Sequence, residues 1–282
     1  MEVPSPSLLL VDGHNLVFRA TFGFPARIYS RDKCRDVTGV FGFFALLRVA
    51  IRDELPAPPE VMVVFDGEYG AAGRRETDDR YKANRPADTD AIKPILALPD
   101  IKRGLDAYGI CWIEIDDAEA DDVIATMVHS TPGRQRLIMS SDRDFYQLLN
   151  DSVTVLNTAM KPGRRHLGPT HVWDRYRVSP EQWPCFKALA GDPSDNIPGV
   201  RGIGDRTAAQ LLADGLALDD LPGSGRLAGA RGERIVRQFG QILGWRDLIR
   251  MRTKLPLPVH PSGTVSPALP KPADVIEKLN LW

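Results

Sequence analysis

An α/β protein is predicted, a parallel sheet flanked by helices with a helical region attached. Two features of the sequence predict it. Short apolar or β-branched runs recur at residues 7–11, 61–65, 110–115, 136–139 and 153–156, each closed by a polar break and followed by a helical pattern. That alternation is expected of strands in a parallel sheet covered on both faces. Beyond residue 169 the strand signals cease and helical stretches dominate.

In chain order, the first strand is followed by an apolar-rich stretch at 40–51, long enough for a packed helix, which Pro56-Ala57-Pro58-Pro59 stops. Residues 70–100 dissolve into charges, Gly70, Gly73, Pro86, Pro94 and Pro99. Such a long break in apolar periodicity marks a functional or mobile loop. Helices are expected at 123–128, 170–176, 180–190, 205–213 and 233–251, a loop at 222–232 and an extended tail at 256–272. The division is therefore an α/β core at 1–168 and a helical region at 169–282. Trp112, Trp173, Trp183 and Trp245 fall in apolar contexts, where core packing is the default.

A chain of 282 residues, 43% of them hydrophobic, can bury a full core. Leu8-Leu9-Leu10-Val11 is too short for a signal peptide or a membrane span, so a soluble, cytoplasmic monomer with no membrane partner is expected. Cys34, Cys111 and Cys185 show neither disulfide nor zinc spacing. A net charge of −1 does not advertise a nucleic-acid binder, although acids gathered around cations would leave the remaining surface more basic.

The acids are not scattered. Asp12, Asp66, and Asp142 with Asp144 each follow a strand, and Glu119-Ala120-Asp121-Asp122 opens a helix after another. Ligands of open parallel sheets bind outside the carboxyl ends of the strands. One such Asp alone is more often a helix cap or a turn residue. Several brought together would repel one another unless a cation lay between them, and an oxygen-only set suits Mg²⁺ or Mn²⁺ rather than zinc.

These residues, in order, resemble a known family. Leu9-Leu10-Val11-Asp12-Gly13-His14-Asn15, Val64-Phe65-Asp66, Tyr81-Lys82-Ala83-Asn84-Arg85-Pro86, the Glu119–Asp122 run, Ser141-Asp142-Arg143-Asp144-Phe145-Tyr146-Gln147-Leu148-Leu149 and Gly191-Asp192-Pro193-Ser194-Asp195-Asn196-Ile197-Pro198-Gly199 are similar to motifs of the 5′-nuclease domain of bacterial DNA polymerase I and the flap endonucleases. The resemblance continues through 200–212 to Arg252-Thr253-Lys254-Leu255-Pro256-Leu257. It implies a PIN-like nuclease core, a helical arch at about 70–100, and a helix-hairpin-helix element in the C-terminal region.

The resemblance further implies two metal ions, one held by Asp12, Asp66, Glu119, Asp121 and Asp122, the other by Asp142, Asp144, Asp192 and Asp195. Mg²⁺ is the expected ion, with Mn²⁺ able to substitute. Paired cations suit phosphodiester hydrolysis by in-line displacement, with no nucleophilic side chain needed. Lys82 and Arg85 match arch residues that contact the scissile phosphate; Arg74 matches a basic position nearby, Tyr81 offers a ring for base stacking, and Arg19 stands in a family-like position. Gly199, Gly202, Gly204, Arg206 and Thr207 form a glycine hairpin whose backbone N–H groups can approach duplex phosphates. In the family that hairpin also binds K⁺, and Arg206 replaces the usual Lys. His14 is expected to hydrogen-bond rather than bind metal.

The expected activity is thus a structure-specific 5′ nuclease acting on 5′-flap, nicked or branched DNA. Two other readings stay open: a DNA-binding relative without catalysis, and an RNA-cleaving PIN-like enzyme. An aspartyl phosphotransferase is disfavoured, because Gly13-His14 rather than a second spaced Asp follows Asp12.

Overall fold

The computed structural model describes residues 5–84 and 89–282. The chain runs β1 (Leu8–Asp12), α1 (Gly13–Gly23), α2 (Thr38–Glu54), β2 (Glu60–Asp66), α3 (Ala72–Thr77), α4 (Thr89–Ala107), β3 (Cys111–Ile115), α5 (Ala120–Ser130), β4 (Arg136–Met139), β5 (Val153–Leu156) and β6 (His166–Leu167). There follow α6 (Pro169–Tyr176), α7 (Trp183–Ala190), α8 (Asp205–Leu211), α9 (Gly229–Arg237), α10 (Phe239–Ile249) and α11 (Pro272–Lys278). The strand order is β3-β2-β1-β4-β5-β6. The first five strands are parallel and β6 closes one edge antiparallel to β5.

Because the sheet is covered on both faces, its strands are apolar without interruption. Alternate residues serve two cores. Leu9, Val11, Val63 and Phe65 pack with Phe43, Phe44 and Leu47 of α2, Ile101 and Leu105 of α4, and Val275 and Ile276 of α11. Leu8, Leu10, Met62 and Val64 pack with Val123 and Ile124 of α5, and that core continues into Trp183, Phe186 and Leu189 of α7 and Trp245 of α10. The helical region thereby shares the core beneath the sheet, which carries the loop after α7 to the carboxyl edge.

Several expectations are corrected. Residues 70–100 are not the irregular loop that composition suggests but helical in large part, as the resemblance implied: α3 and α4 occupy much of the segment, and α4 accommodates Pro94 and Pro99. Leu98, Ile101 and Leu105 of α4 are buried at helical spacing, and that burial outweighs the proline penalty. Helix α1 was hidden among glycine and polar residues. The helix expected at 233–251 is divided at Gln238, and α9 already begins inside the loop expected at 222–232. A Cβ on Gly232 would lie 2.4 Å from the Leu227 carbonyl carbon, so this glycine serves close packing. The tail ends in α11, and β6 is too short to leave a periodic signal. Trp183 and Trp245 are buried as expected, whereas Trp112 is partly exposed and Trp173 is 52% exposed. Among the described residues no helix is long and apolar enough to cross a membrane.

At the head of α1 the backbone lies against β2: a Cβ on Gly13 would stand 2.5 Å from the Phe65 ring and 2.9 Å from the Val64 carbonyl oxygen. Gly13→Ala should destabilise the fold by about 1–3 kcal/mol, read as a lower urea midpoint at unchanged m-value; an unchanged midpoint would show that the β1–α1 junction is loosely packed.

Candidate active site and metal centre

Parallel register aligns the strand ends. Asp12 lies opposite Val64 and Asp66 opposite Ile115, while Val11 pairs with Met139 just before the Ser140–Asp144 turn. A cleft of about 560 Å³ opens at this edge, lined by Asp12, Asp66, Glu119, Asp121 and Asp142. Lys82, His14 and Asn15 also face it, and Phe18 and Ile95 supply an apolar wall.

Short hydrogen bonds aim these acids. Asp12 caps α1 by accepting from the Asn15 N–H at 3.0 Å, and its other oxygen accepts from the Ser140 hydroxyl at 2.8 Å. Ser140 in turn accepts from the Asp142 N–H, and the Asn15 amide bonds Ser141, so the ends of β1 and β4 are locked together. Asp66 accepts from the Ala120 N–H at 2.7 Å, which ties β2 to α5. His14 Nδ1 accepts from the Asp66 N–H at 3.0 Å and burial lowers its pKa, so it is a neutral positioning group.

A second cluster lies beside the first. Asp144, Asp192 and Asp195 are buried, with carboxylate oxygens all within 4.8 Å of one another. Asp142 belongs spatially to the first cleft, but its carboxylate accepts from the Asp144 N–H at 2.9 Å and thus joins the two clusters. The loop carrying Asp192 and Asp195 is closed by reciprocal backbone bonds between Asp192 and Ile197. The Asn84 amide donates to the Pro193 carbonyl and the Lys82 N–H to the Asp195 carbonyl, which dock that loop onto the segment after α3.

Burial and crowding of like charge set the electrostatics. Asp12 is pushed up to about 7 by burial and then by Asp66. Asp144 is raised to about 6 by burial and Asp142. Asp121 and Asp195 are also raised, chiefly by burial. Glu119 goes the other way: burial opposes its charge, but Lys82 and Arg74 prevail and hold it at about 2. An oxygen-only donor set that is buried and short of positive charge fits divalent cations.

Basic side chains from the protein partly answer that deficit. Lys82 pairs with Glu119 and its Nζ is 3.9 Å from Asp195. Arg74 bonds Glu119 at 2.6 Å and Asp122 at 2.7 Å. Lys187 bridges Asp144 and Asp192. Arg252 donates its backbone N–H and its Nε to the two oxygens of Asp122 at 2.7 and 2.8 Å. Lys187 was not singled out from sequence, and Arg252, quoted within a motif, was given no role. The available signal for Lys187 was a lone charge in the apolar run Trp183–Ala190, since a buried lysine needs partners.

Other assignments are corrected. Asp122 is 0% exposed and held by Arg74 and Arg252, so it anchors α5 rather than facing the cleft. Tyr81 is 3% exposed, packed under Lys82 and Arg74 with its hydroxyl 3.3 Å from Glu119, and is no stacking platform. Arg74 is spent on the acids rather than turned toward a ligand. Arg19 bonds the Thr158 hydroxyl and does not line the cleft. Arg85 lies outside the described residues.

At the hairpin, Gly199 and Gly202 have φ of 65° and 84°, while Gly204 is extended and precedes α8. A Cβ on Gly199 would meet the Gly191 nitrogen at 2.4 Å, so glycine is obligatory there. Arg206 is exposed and Thr207 half-buried.

The raised carboxylates give a test. Folded Asp12 and Asp144 hold protons up to about 7 and about 6, against 3.8 for the ordinary group. A folded-state pKa above the unfolded one means stability present at low pH and lost as pH rises through that window. In chelator, the melting temperature should fall between about pH 4 and pH 7, and divalent cation should restore it mainly at the higher pH. A melting temperature indifferent to both pH and cation would remove the basis for a cation site.

Comparison with known proteins places this geometry. Residues 7–177 match the N-terminal resolvase-like domain of the 5′-3′ exonucleases and residues 178–269 their C-terminal SAM fold. The thermostable DNA polymerase I of Thermus thermophilus is 36% identical over 266 residues, covering 91% of this chain and 30% of that protein. DNA polymerase I of Mycobacterium tuberculosis is 33% identical over 260 residues, covering 91% and 28%. The chain therefore spans about 30% of the length of these polymerases. A bacteriophage T5 flap endonuclease, solved as a pseudo-enzyme-product complex with DNA and metal ions, superposes with a TM-score of 0.69 at 22% identity over 88% of this chain and 90% of that one. That likeness establishes the fold, and the sequence matches together with the two family domains establish descent: this chain belongs to the 5′-3′ exonuclease family.

Proposed function

We propose that this protein is a Mg²⁺-dependent 5′ nuclease that hydrolyses phosphodiester bonds near the 5′ end or the single-strand/duplex junction of flap or branched DNA. The observation that carries the reading is the gathering of eight carboxylates in two adjoining clusters at the sheet edge. Asp12, Asp66, Glu119, Asp121 and Asp142 would hold one ion, and Asp144, Asp192 and Asp195 with Asp142 a second. Divalent cations held by these residues would supply Lewis-acid activation of water and charge stabilisation for phosphodiester hydrolysis.

The protein's own groups do the rest. Lys82 places an ammonium within the acid cleft, where phosphate charge would develop. Its φ of 54° is unusual for a residue other than glycine, a strain typical of positions fixed by function. Phe18 and Ile95 present apolar surface to a base lifted from the duplex. The Gly199–Gly204 hairpin offers backbone groups to phosphates without reading sequence. The T5 relative, named as a flap endonuclease in complex with DNA and metal ions, supports the substrate class. A monomer in the cytoplasm, Mn²⁺ in place of Mg²⁺ and K⁺ at the hairpin complete the proposal.

The decisive assay follows a 5′-labelled flap on duplex DNA with Mg²⁺, Mn²⁺ or chelator, alongside single-stranded RNA. Wild-type protein should release the flap only with a divalent cation, Asp142→Asn should be inactive, and Lys82→Ala should lose about 100-fold or more in single-turnover rate. Tight flap binding without cleavage under either metal would leave a DNA-binding relative, and cleavage confined to RNA would favour the RNase.

A further inference from the structure

Beside the glycine hairpin, between α6 and α8, lies a groove of about 570 Å³; its α8 wall carries Arg206 of the hairpin element, and the nuclease reading leaves its α6 wall unused. Trp173, Arg175 and Arg177 line it from the α6 side and Arg206 from α8. Trp173 is 52% exposed, in contrast to Trp183 at 1%. The Arg175 guanidinium lies 5.5 Å from the Tyr176 ring centre. Among the described residues no ion pair engages Arg175, Arg177 or Arg206. Of the two acids on the rim, Asp214 is already matched by Arg226 at 2.9 Å, which leaves Asp205 against three arginines.

Arg177 adds an independent observation. It ends α6 in the left-handed conformation, φ 59° and ψ 32°, with its N–H donated to the Trp173 carbonyl at 2.9 Å. Glycine is the favoured residue for that cap, and a side chain there is kept against a conformational cost. What the side chain contributes is a second unpaired guanidinium beside Arg175. Arg206, two residues beyond Gly204, links the groove to the hairpin in sequence and in space.

We propose that this groove is a second DNA contact, resting on the nuclease reading above. Arg175, Arg177 and Arg206 would take neighbouring phosphates of the strand gripped by the hairpin, and Trp173 would pack on a deoxyribose or base at its edge. Charge complementarity favours a polyanion over an apolar protein surface, and an exposed aromatic among arginines suits nucleic acid.

Arg177→Gly is the informative variant, because it removes the charge while relieving the backbone. Its melting temperature should stay the same or rise. In a salt series on a flap substrate, it should bind several-fold more weakly, with the slope of log K against log salt reduced by about 0.9; adding Arg175→Ala should reduce it by about 0.9 again. Trp173→Ala should weaken binding and Trp173→Phe should recover most of it. Wild-type binding with unchanged affinity and slope in the arginine variants overturns this contact alone. Wild-type protein that binds no flap DNA overturns the nuclease reading and this contact with it.

Discussion

Repulsion among buried carboxylates is the constraint on which the rest of this structure depends. Eight acids of one sign converge on the carboxyl edge of the sheet, and Asp12, Asp121, Asp144 and Asp195 have their pKa values raised, first by burial and then by neighbouring acids. A fold can hold such a cluster only if its scaffold is stiff and opposite charge is at hand. The stiffness comes from the doubly covered parallel sheet, whose registers fix where each strand ends. The opposite charge comes from Arg74 and Lys82, neighbours in the segment after β2, and from Lys187 on α7.

That division of labour explains why the helical region is not an appendage. Lys187 on α7 bridges Asp144 of the core and Asp192 of its own loop, so one side chain stitches the two regions at the site. Farther from the cleft, the Gln147 amide donates to the Ile249 carbonyl and its oxygen accepts from the Met251 N–H, which fastens the end of α10. Arg252 then reaches Asp122 at the head of α5. Removing Lys187 or Arg252 would leave buried carboxylate charge less compensated, and removing Gln147 would leave two backbone groups without their partner.

The same arrangement links chemistry to recognition. The loop that carries Asp192 and Asp195 ends at Gly199, where the hairpin begins, and a Cβ there would collide with the Gly191 nitrogen. Candidate metal ligands and candidate phosphate contacts are thus consecutive parts of one tightly closed loop. Of the six described residues other than glycine in the left-handed region, Asn196 falls in this loop and Lys82 in the segment docked against it.

What the sequence by itself determined is the part governed by local pattern. Five strands, most helices and the strand-end position of Asp12, Asp66, Asp142 and Asp144 were legible, because strand periodicity and strand-end residues depend on near neighbours, whereas Asp192 and Asp195 stood out only through the family resemblance. Helix α4 was not legible from pattern, since its prolines and charges mask an apolar stripe that only burial against α2 and the sheet makes worthwhile. Tertiary structure alone decided which acids face the cleft: Asp122, adjacent to Asp121, turns to Arg252, 130 residues away. It also buried Tyr81, exposed Trp173 and set Lys187 between two acids. These are outcomes of side-chain direction and long-range charge pairing, and a linear pattern carries neither.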